Sequence, residues 1–493
     1  MAAHQLPASW VIVGSGFYPW LVALFLQKTL VKPLQRAGRQ PIRLTLLQQQ
    51  SAAPERVITT SSALRHFNKN NGLSEANFVR GCRACFNLGT VIQRALPTED
   101  RSLSGAGAKK SSGFFFAEGP YGYIMRGVRF HHLLAHGAAQ GFTAKLDAFS
   151  VAAQLAQQNR FTPPSTRSDS LFSSLDYGYR FHAAHYTEYL SKLLEDADIS
   201  VYRSGLSRVQ LEPDHQSIAA LELDNGDRVS GDFFIDVSEN RVLKSALPKS
   251  DHCVSPCHPT AVLQTAGVQT RDSKAPLKPY QHLMLGRGEI SIASTSHKQG
   301  YSQQFAVAAS GENSAKVFWD LQPWQGNCVA LGPALSNRPP IIIDEVHSLL
   351  NGLHELARFW PKRDATDTDA VSKKWFNRNL SAEGEQIFDM DSLLFKASFA
   401  HFGAELSHGA KEMLALFCET GVLPAREQQT LAESQWIALL YALGLPLKFD
   451  NILARQFDGA ALVKQLTQLK KSIQQAAGSA PLHEEFLRLN RLV

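Results

Sequence analysis

Gly14-Ser15-Gly16 is the first stretch of the chain whose residue types and spacing suit chemistry. It follows the apolar run Val11 to Val13 and precedes a helix-like apolar segment. A strand, a glycine turn and a helix in that order open a dinucleotide-binding unit, because the turn brings backbone N–H groups close to a pyrophosphate. The full pattern asks for a third glycine at position 19, and the chain has Pro19. Proline is tolerated in a first helical turn, where its missing N–H has no helical partner, but its ring sits at the point of close helix–strand contact. Phe17 and Tyr18 are bulky where small residues usually line the phosphates. An acid is also expected at the end of the second strand to accept the ribose hydroxyls. That strand reads LTLLQQQ, with neutral Gln48 at the matching position and no Asp or Glu before Glu55.

Other clusters admit metal or acid–base chemistry. Cys82-x-x-Cys85, together with His252, Cys253, Cys257 and His258 of DHCVSPCHPT, has zinc-ligand residue types. Both cysteines of the first pair also suit the buried face of a helix, and core cysteines with a polar loop are the preferred reading, so no metal is expected. His131, His132 and His136 in RFHHLLAHG suit a base or a metal less well than a set of satisfied helix histidines. Phe114 to Phe116, Tyr121 and Tyr123 form an aromatic group that either stacks on a flat ligand or builds core.

These residues need a frame. Residues 8–50 read as strand, glycine turn, helix over about 17–30, loop and strand Ile42 to Leu47, a βαβ start. Residues 60–96 carry Phe78, Val79, Cys82, Cys85 and Phe86 at near-helical spacing and are expected to be helical. Residues 97–113 form a polar loop, and 114–160 are aromatic-rich, then alanine-rich, and expected to be helical. A helix is expected to present Tyr186, Tyr189, Leu190, Leu193 and Leu194 on one face, followed by the short strand Ile199 to Tyr202. Asn225-Gly226 predicts a hairpin with a type I′ turn, leading into the apolar strand Phe233 to Val237. Residues 251–310 read as strand-rich, 323–334 as an apolar strand ending at Gly332, and everything from Asp344 onward as helices. The fold class is therefore α/β with a Rossmann-like dinucleotide-binding domain, divided as 8–96, an inserted helical region 97–175, the remainder 176–345, and a helical region 346–493.

Bulk properties narrow the class. With 493 residues, 44% hydrophobic and 19% charged, the chain suits a globular protein with a sizeable core. Net charge is +6 and the basic residues are scattered, which argues against a nucleic-acid partner. The early apolar run Trp20 to Leu26 is far shorter than a membrane span, and no Lys or Arg precedes it as in a signal peptide. Six cysteines in so long a chain make no disulfide framework, and a cytoplasmic location without membrane attachment is expected.

The order of five segments resembles the flavin-dependent tryptophan halogenases: VIVGSGFYPW, GLSEANFVRGCRACFNLGTVIQ, YGYRFHAAHYTEYLSKLL, GDFFIDVSENRVL and PWQGNCVALGPA. The resemblance spans residues 8 to 400. It implies a two-part flavoprotein of the monooxygenase and halogenase type that binds FAD, makes hypohalous acid at the flavin and passes it through a tunnel to a substrate, where a lysine and a glutamate act. Gly14, Gly16, Gln48, Gly332 and Ala334 are then the positions that would touch FAD. The resemblance also marks departures. Asn87 stands at the lysine position, too short and uncharged to engage an oxidised halogen. Ile342, two residues after the matching Pro340, stands at the glutamate position, and Asp344 and Glu345 would face elsewhere. The family's Trp-x-Trp-x-Ile-Pro stretch has no counterpart in 283–296, which contains no tryptophan. Glu239 replaces a glycine beside the nucleotide, and Pro333 removes a backbone donor.

The expectation is a halogenase-like fold without catalytic residues at the two family positions. Such a chain is a non-halogenating pseudoenzyme that binds a small aromatic ligand or a protein partner, as a homo- or hetero-oligomer, with FAD binding in question. The alternative is an FAD-dependent halogenase or monooxygenase acting on tryptophan or indoles with altered residues. A nicotinamide-dependent dehydrogenase is a weaker third reading, since it leaves the later segments unexplained.

Overall fold

The structure is a computed structural model that describes residues 6–39, 42–50, 56–94, 113–248, 252–254, 263–266, 271–272, 277–286, 289–296, 299–307, 317–362, 367–399, 405–425, 430–445 and 450–492. Its contacts divide the chain into two compact units. One holds Met1–Ala84, Phe181–Ser255 and Lys316–Glu385, the other Cys85–Arg180, Pro256–Ala315 and Gln386–Val493.

The first unit is built on a six-stranded sheet. In spatial order its strands are Ile199–Tyr202, Arg43–Gln49, Ser9–Ser15, Phe233–Val237, Cys328–Ala330 and the edge strand Trp324–Gln325. All neighbours are parallel except the last pair. The central strand β1 (Ser9–Ser15) is flanked by β2 (Arg43–Gln49), which places Gln48 opposite Gly14, and by Phe233–Val237, which places Val237 on its other side. Such a strand is covered on both faces and reads as a continuous apolar run, as SWVIVGS does. Val11, Val13, Leu47 and Phe234 enter one core cluster with the hairpin residues Ile218, Leu221 and Val229. Each fully buried side chain of this kind contributes roughly 1.5–3 kcal/mol.

Helix α1 (Tyr18–Leu26) follows β1 directly, and all nine of its residues are buried. A helix apolar on every side belongs in an interior, so YPWLVALFL has no polar face to lose. It continues through a π-helical turn, Gln27–Val31, into Lys32–Arg36, which extends the expected helix a little.

Several expectations are corrected. The segment 60–96 is not one helix: Ser62–Asn70 and Glu75–Gly81 are helices, Cys82 caps the second, and Cys85 and Phe86 lie on the strand Cys85–Asn87. Strand Gly89–Arg94 follows. Fully buried strands carry unbroken apolar runs, and over so few residues these mimic helical spacing. Phe114–Ala117 is likewise a strand, with all four side chains buried, before the helices Phe130–Ala139 and Val151–Gln157. On helix Ala183–Leu193, Tyr186 and Leu190 are buried while Leu193 is exposed. The hairpin at Asn225-Gly226 forms, but only Gly226 has a positive φ (85°). Gly226 N–H bonds Leu223 O and Leu223 N–H bonds Asp227 O, so the loop is a type I turn closed by a glycine bulge and not type I′.

The second unit contains a sheet in which Gly89–Arg94 pairs antiparallel with Phe114–Ala117 and parallel with Gln281–Leu285. Gln281–Leu285 continues through Glu289–Ser296 to Gln299–Val307. Among the described residues no helix is long and apolar enough to cross a membrane.

Candidate functional site

In an open parallel sheet, ligands bind in the crevice beyond the carboxyl ends of the strands. Here Gly14, one residue before the end of β1, lies against Val237: a Cβ on Gly14 would lie 2.8 Å from Val237 Cγ2 and 2.9 Å from its carbonyl oxygen. Close strand packing therefore accounts for this glycine. Gly16 has φ +61° and open space where a Cβ would project, so the turn itself accounts for the second one.

Beyond Gly16 the chain differs from an open phosphate loop. Phe17 is 1% exposed and Tyr18 3%. Their rings lie 4.3 Å apart, and Phe17 packs on Tyr186 at 5.3 Å. Tyr186 in turn meets Phe181 and Phe78, which makes Phe17 part of an aromatic core. Pro19 stands in the first turn of α1, where the sequence places it, and Leu21 N–H bonds Phe17 O at 2.9 Å.

Tyr18 reaches across the crevice. The short turn Gly332–Ala334 follows strand Cys328–Ala330, and a Cβ on Gly332 (φ +54°) would lie 3.7 Å from Tyr18 Cδ1. The Tyr18 hydroxyl donates to Glu345 Oε2 at 2.5 Å and accepts from Arg56 Nη2 at 2.6 Å. Arg56 Nη1 closes the triangle on Glu345 Oε2 at 2.8 Å. Burial, and next the Glu345 carboxylate, push the Tyr18 phenol well above its ordinary pKa, so it stays a neutral donor. Burial disfavours the Arg56 cation, but Glu345 and then Tyr18 outweigh it and hold the guanidinium charged. The exposed Glu239 adds a further attraction on Arg56.

Gln48 lies beside the glycine turn, as its place in the sequence predicts. Its Nε2 donates to Gly16 O at 3.3 Å, and its Oε1 is buried without a partner among the described residues. The turn after Phe233–Val237 is fixed by Asp236, whose carboxylate accepts from Ser238 N and Oγ and from Leu243 and Lys244 N–H.

Asn87 and Ile342 take different surroundings. Asn87 is 2% exposed on strand Cys85–Asn87, opposite Gly178. Its neighbour Phe86 stacks on Phe161 with ring centres 4.0 Å apart and planes within 8°. Ile342 is half-buried between buried Ile341 and Ile343, in a turn whose carbonyls Arg338 holds at Pro339 (3.0 Å) and Ile343 (2.5 Å). The acids that follow are both engaged. Asp344 caps helix Glu345–Arg358 through His347 N–H at 2.8 Å and also accepts Ser61 N–H at 2.8 Å, while Glu345 holds Tyr18 and Arg56.

The other sequence clusters resolve into structure. His131 Nε2 lies 2.7 Å from Gly421 O, and burial, with His132 next, lowers its pKa to about 4, so it stays neutral. Burial raises the Cys82 thiol well above its usual range, and Cys85 Sγ accepts a hydrogen bond from Arg180. Cys257 and His258 lie outside the described residues. Tyr121 donates to Phe115 O at 3.0 Å, so Phe114 to Phe116 and Tyr121 form a packed layer, while Tyr123 is half exposed. Sequence reasoning missed Arg56. Nothing in local spacing links it to Glu345, 289 positions away.

The chain matches the sequence profile of the family described as tryptophan halogenase over residues 9–282 and 289–458. Among solved structures it resembles a flavin-dependent halogenase from Brevundimonas sp. BAL3, with TM-score 0.82, 20% identity and 99% of each chain covered. It also resembles a flavin-dependent halogenase from Xanthomonas campestris, with TM-score 0.84, 19% identity and 99% of each chain covered. A tryptophan 6-halogenase from Streptomyces toxytricini superposes with TM-score 0.80 at 17% identity, over 98% of this chain and 100% of the other. At these identities the structural likeness establishes the fold. No curated protein sequence matches.

Proposed function

The chain belongs to the tryptophan halogenase family, and from that premise we propose that it is a non-halogenating member, a pseudoenzyme that does not hold FAD in the family's manner. The observation that carries this reading is the Tyr18–Arg56–Glu345 triangle, which closes the crevice between the Gly16 turn and the Gly332 turn. FAD, the cofactor the family implies, would have to run from one turn to the other. The Tyr18 ring lies against Gly332 on that path, so the residues present do not fit a full flavin dinucleotide.

The residues at the two catalytic positions support the same reading. Asn87 has no ionisable group to hold an oxidised halogen, and the half-buried Ile342 can neither accept nor donate a proton. Asp344 and Glu345 do not replace the missing base, because the helix cap and the Tyr18 triangle use them. What the chain's own residues do at the crevice is structural: Tyr18 excludes water, Arg56 and Glu345 neutralise one another, and Asp236 fixes the adjoining turn.

One observation favours the second reading, a flavoenzyme of altered chemistry. The Gly16 turn is open, and Gln48 Oε1 is an unpartnered acceptor beside it, suited to a ribose hydroxyl. The discriminating experiment supplies purified protein with FAD, a flavin reductase, NADH, chloride or bromide, and tryptophan or indole. The proposal expects no halogenated or oxygenated product above a protein-free control. Product formation that is abolished by Tyr18→Trp would establish the second reading instead.

A further inference from the structure

The end of the parallel sheet opposite the crevice carries two charged patches of opposite sign. α1 continues through Gln27–Val31 and Lys32–Arg36 toward the start of β2. Helix Ala183–Leu193 packs against α1 and leads to strand Ile199–Tyr202, the parallel neighbour of β2. Leu44 pairs with Ile199, so Arg43 and Asp198, one residue earlier in each segment, stand at the same end of the sheet. Both patches belong to the first unit.

The first patch is basic. Lys28, Lys32 and Arg36 recur every four residues, and Arg39 and Arg43 follow. Lys32, Arg36, Arg39 and Arg43 are exposed, and none is ion-paired among the described residues. No Asp or Glu occurs before Glu55, so no acid within the segment offsets them. Burial, and next Lys32 and Arg36, lower the Lys28 pKa, so the cations crowd one another. The second patch is acidic. Glu195, Asp196 and Asp198 follow the last turn of helix Ala183–Leu193, and all three are exposed. Lys192 bonds Glu188 at 2.7 Å and is also attracted to Glu195. Asp196 and Asp198 have no ion-pair partner among the described residues. Carboxylates beside a helix C-terminus face the negative end of its dipole, a placement that local stability does not explain. Leu193, 40% exposed, adjoins this turn and adds an apolar contact point.

We propose that this end of the sheet docks a second copy of the chain about a two-fold axis, with Lys32 and Arg36 of each copy on Asp196 and Asp198 of the other. Adjacent patches of opposite sign are self-complementary under such an axis, because each residue of one patch meets its counterpart in the other twice over. Carboxylates set over the stripe relieve the crowding at Lys28, and cations set over the acidic turn offset its unfavourable place at a helix end. The contact is mostly charged and only slightly apolar, so the dimer is weak and salt-dependent: exposed charges are screened beyond about 10 Å at ~0.1 M salt. The surface lies at the opposite end of the strands from the crevice, so the inference does not depend on whether FAD binds.

The test is sedimentation analysis of the full chain at low and high salt, with two charge-reversed variants. The unmodified chain is expected to dimerise at micromolar concentration in about 0.05 M salt, with its dissociation constant rising at least about tenfold by about 0.5 M. Lys32→Glu with Arg36→Glu, and Asp196→Lys with Asp198→Lys, are each expected to be monomeric, since each sets like charges against like. An equimolar mixture of the two is expected to regain a dimer, because one reversed patch on each chain restores both pairings. A chain that stays monomeric up to its solubility limit, as it would if the stripe served a different acidic partner, overturns the inference. So does a dimer indifferent to salt, a dimer that persists in either variant, or a mixture that stays monomeric. All four positions are exposed, and equal urea midpoints check that the variants fold. If one does not, the salt series and Lys32→Gln with Arg36→Gln, expected to weaken the dimer at least about tenfold, still decide it.

Discussion

Replacing Tyr18 by phenylalanine removes one hydroxyl and nothing else, so it isolates the contact proposed to close the crevice. That hydroxyl makes two hydrogen bonds to charged groups, at 2.5 Å to Glu345 and 2.6 Å to Arg56. Bonds to charged groups contribute roughly 1.5–3 kcal/mol each in mutational series. The loss is expected at the lower end of one such bond, because Arg56 and Glu345 still pair directly at 2.8 Å and neither charge is left stranded. Tyr18→Phe should therefore cost about 1.5–2 kcal/mol in urea unfolding. Glu345→Gln takes the carboxylate away from the Arg56 cation and should cost more than Tyr18→Phe, and the double variant should show a coupling of about 1–2 kcal/mol, as expected of residues in direct contact. The measurement is the shift in urea midpoint at constant slope, with both singles and the double. A Tyr18→Phe cost below about 0.5 kcal/mol, the scale of a surface change, with no coupling to Glu345, would refute the triangle.

Three further outcomes follow from the same structure. Glu383 is 1% exposed, and burial lifts its carboxyl to about 7 despite the Asn351 hydrogen bond and Arg338, with Glu355 adding to the rise. Its folded pKa exceeds the unfolded value, so the native state holds the extra proton below about pH 7 and pays a charge-burial penalty above it. Stability should fall by up to about 3 kcal/mol between pH 4.5 and pH 7, and Glu383→Gln should flatten that slope when unfolding is measured across the range. Gly14→Ala forces a methyl to 2.8 Å from Val237 Cγ2 and should destabilise by about 1–3 kcal/mol in the same assay. Asp344→Ala removes the cap on His347 N–H and the acceptor for Ser61 N–H, and a loss of about 1–2 kcal/mol in thermal or urea unfolding is expected.

Much of the frame was legible in the sequence because it rests on local pattern. Val11 to Val13 reads as an apolar strand, Gly14-Ser15-Gly16 as the turn after it, and LTLLQQQ as the second strand with Gln48 near its end, as the structure has them. The start of a helical region at Asp344 is readable too, whereas the capping role of its carboxylate appears only in the structure. The stretch from Cys82 to Ala117 was misread, since short buried strands and buried helix turns share the same apolar density. The type I′ turn was misread because Asn-Gly also serves a type I turn with a glycine bulge, and only φ separates the two. Tyr18 was visible as a bulky residue in a glycine turn, but its partners were not. Arg56 and Glu345 come together only when β1, the chain after β2 and the helix from Glu345 are assembled, and no spacing rule spans such a separation. Chemistry carried by neighbours in sequence could be read, whereas chemistry assembled from distant segments required the fold.

The most direct test of the account is a flavin absorbance titration of the purified, full-length protein, compared with Tyr18→Ala. The account predicts that the wild-type protein is colourless and takes up no FAD at micromolar concentrations, while opening the crevice with Tyr18→Ala does not diminish and can only increase uptake. A wild-type protein that purifies yellow, or that saturates with FAD at micromolar concentration, would contradict the claim that Tyr18, Arg56 and Glu345 have closed the flavin crevice.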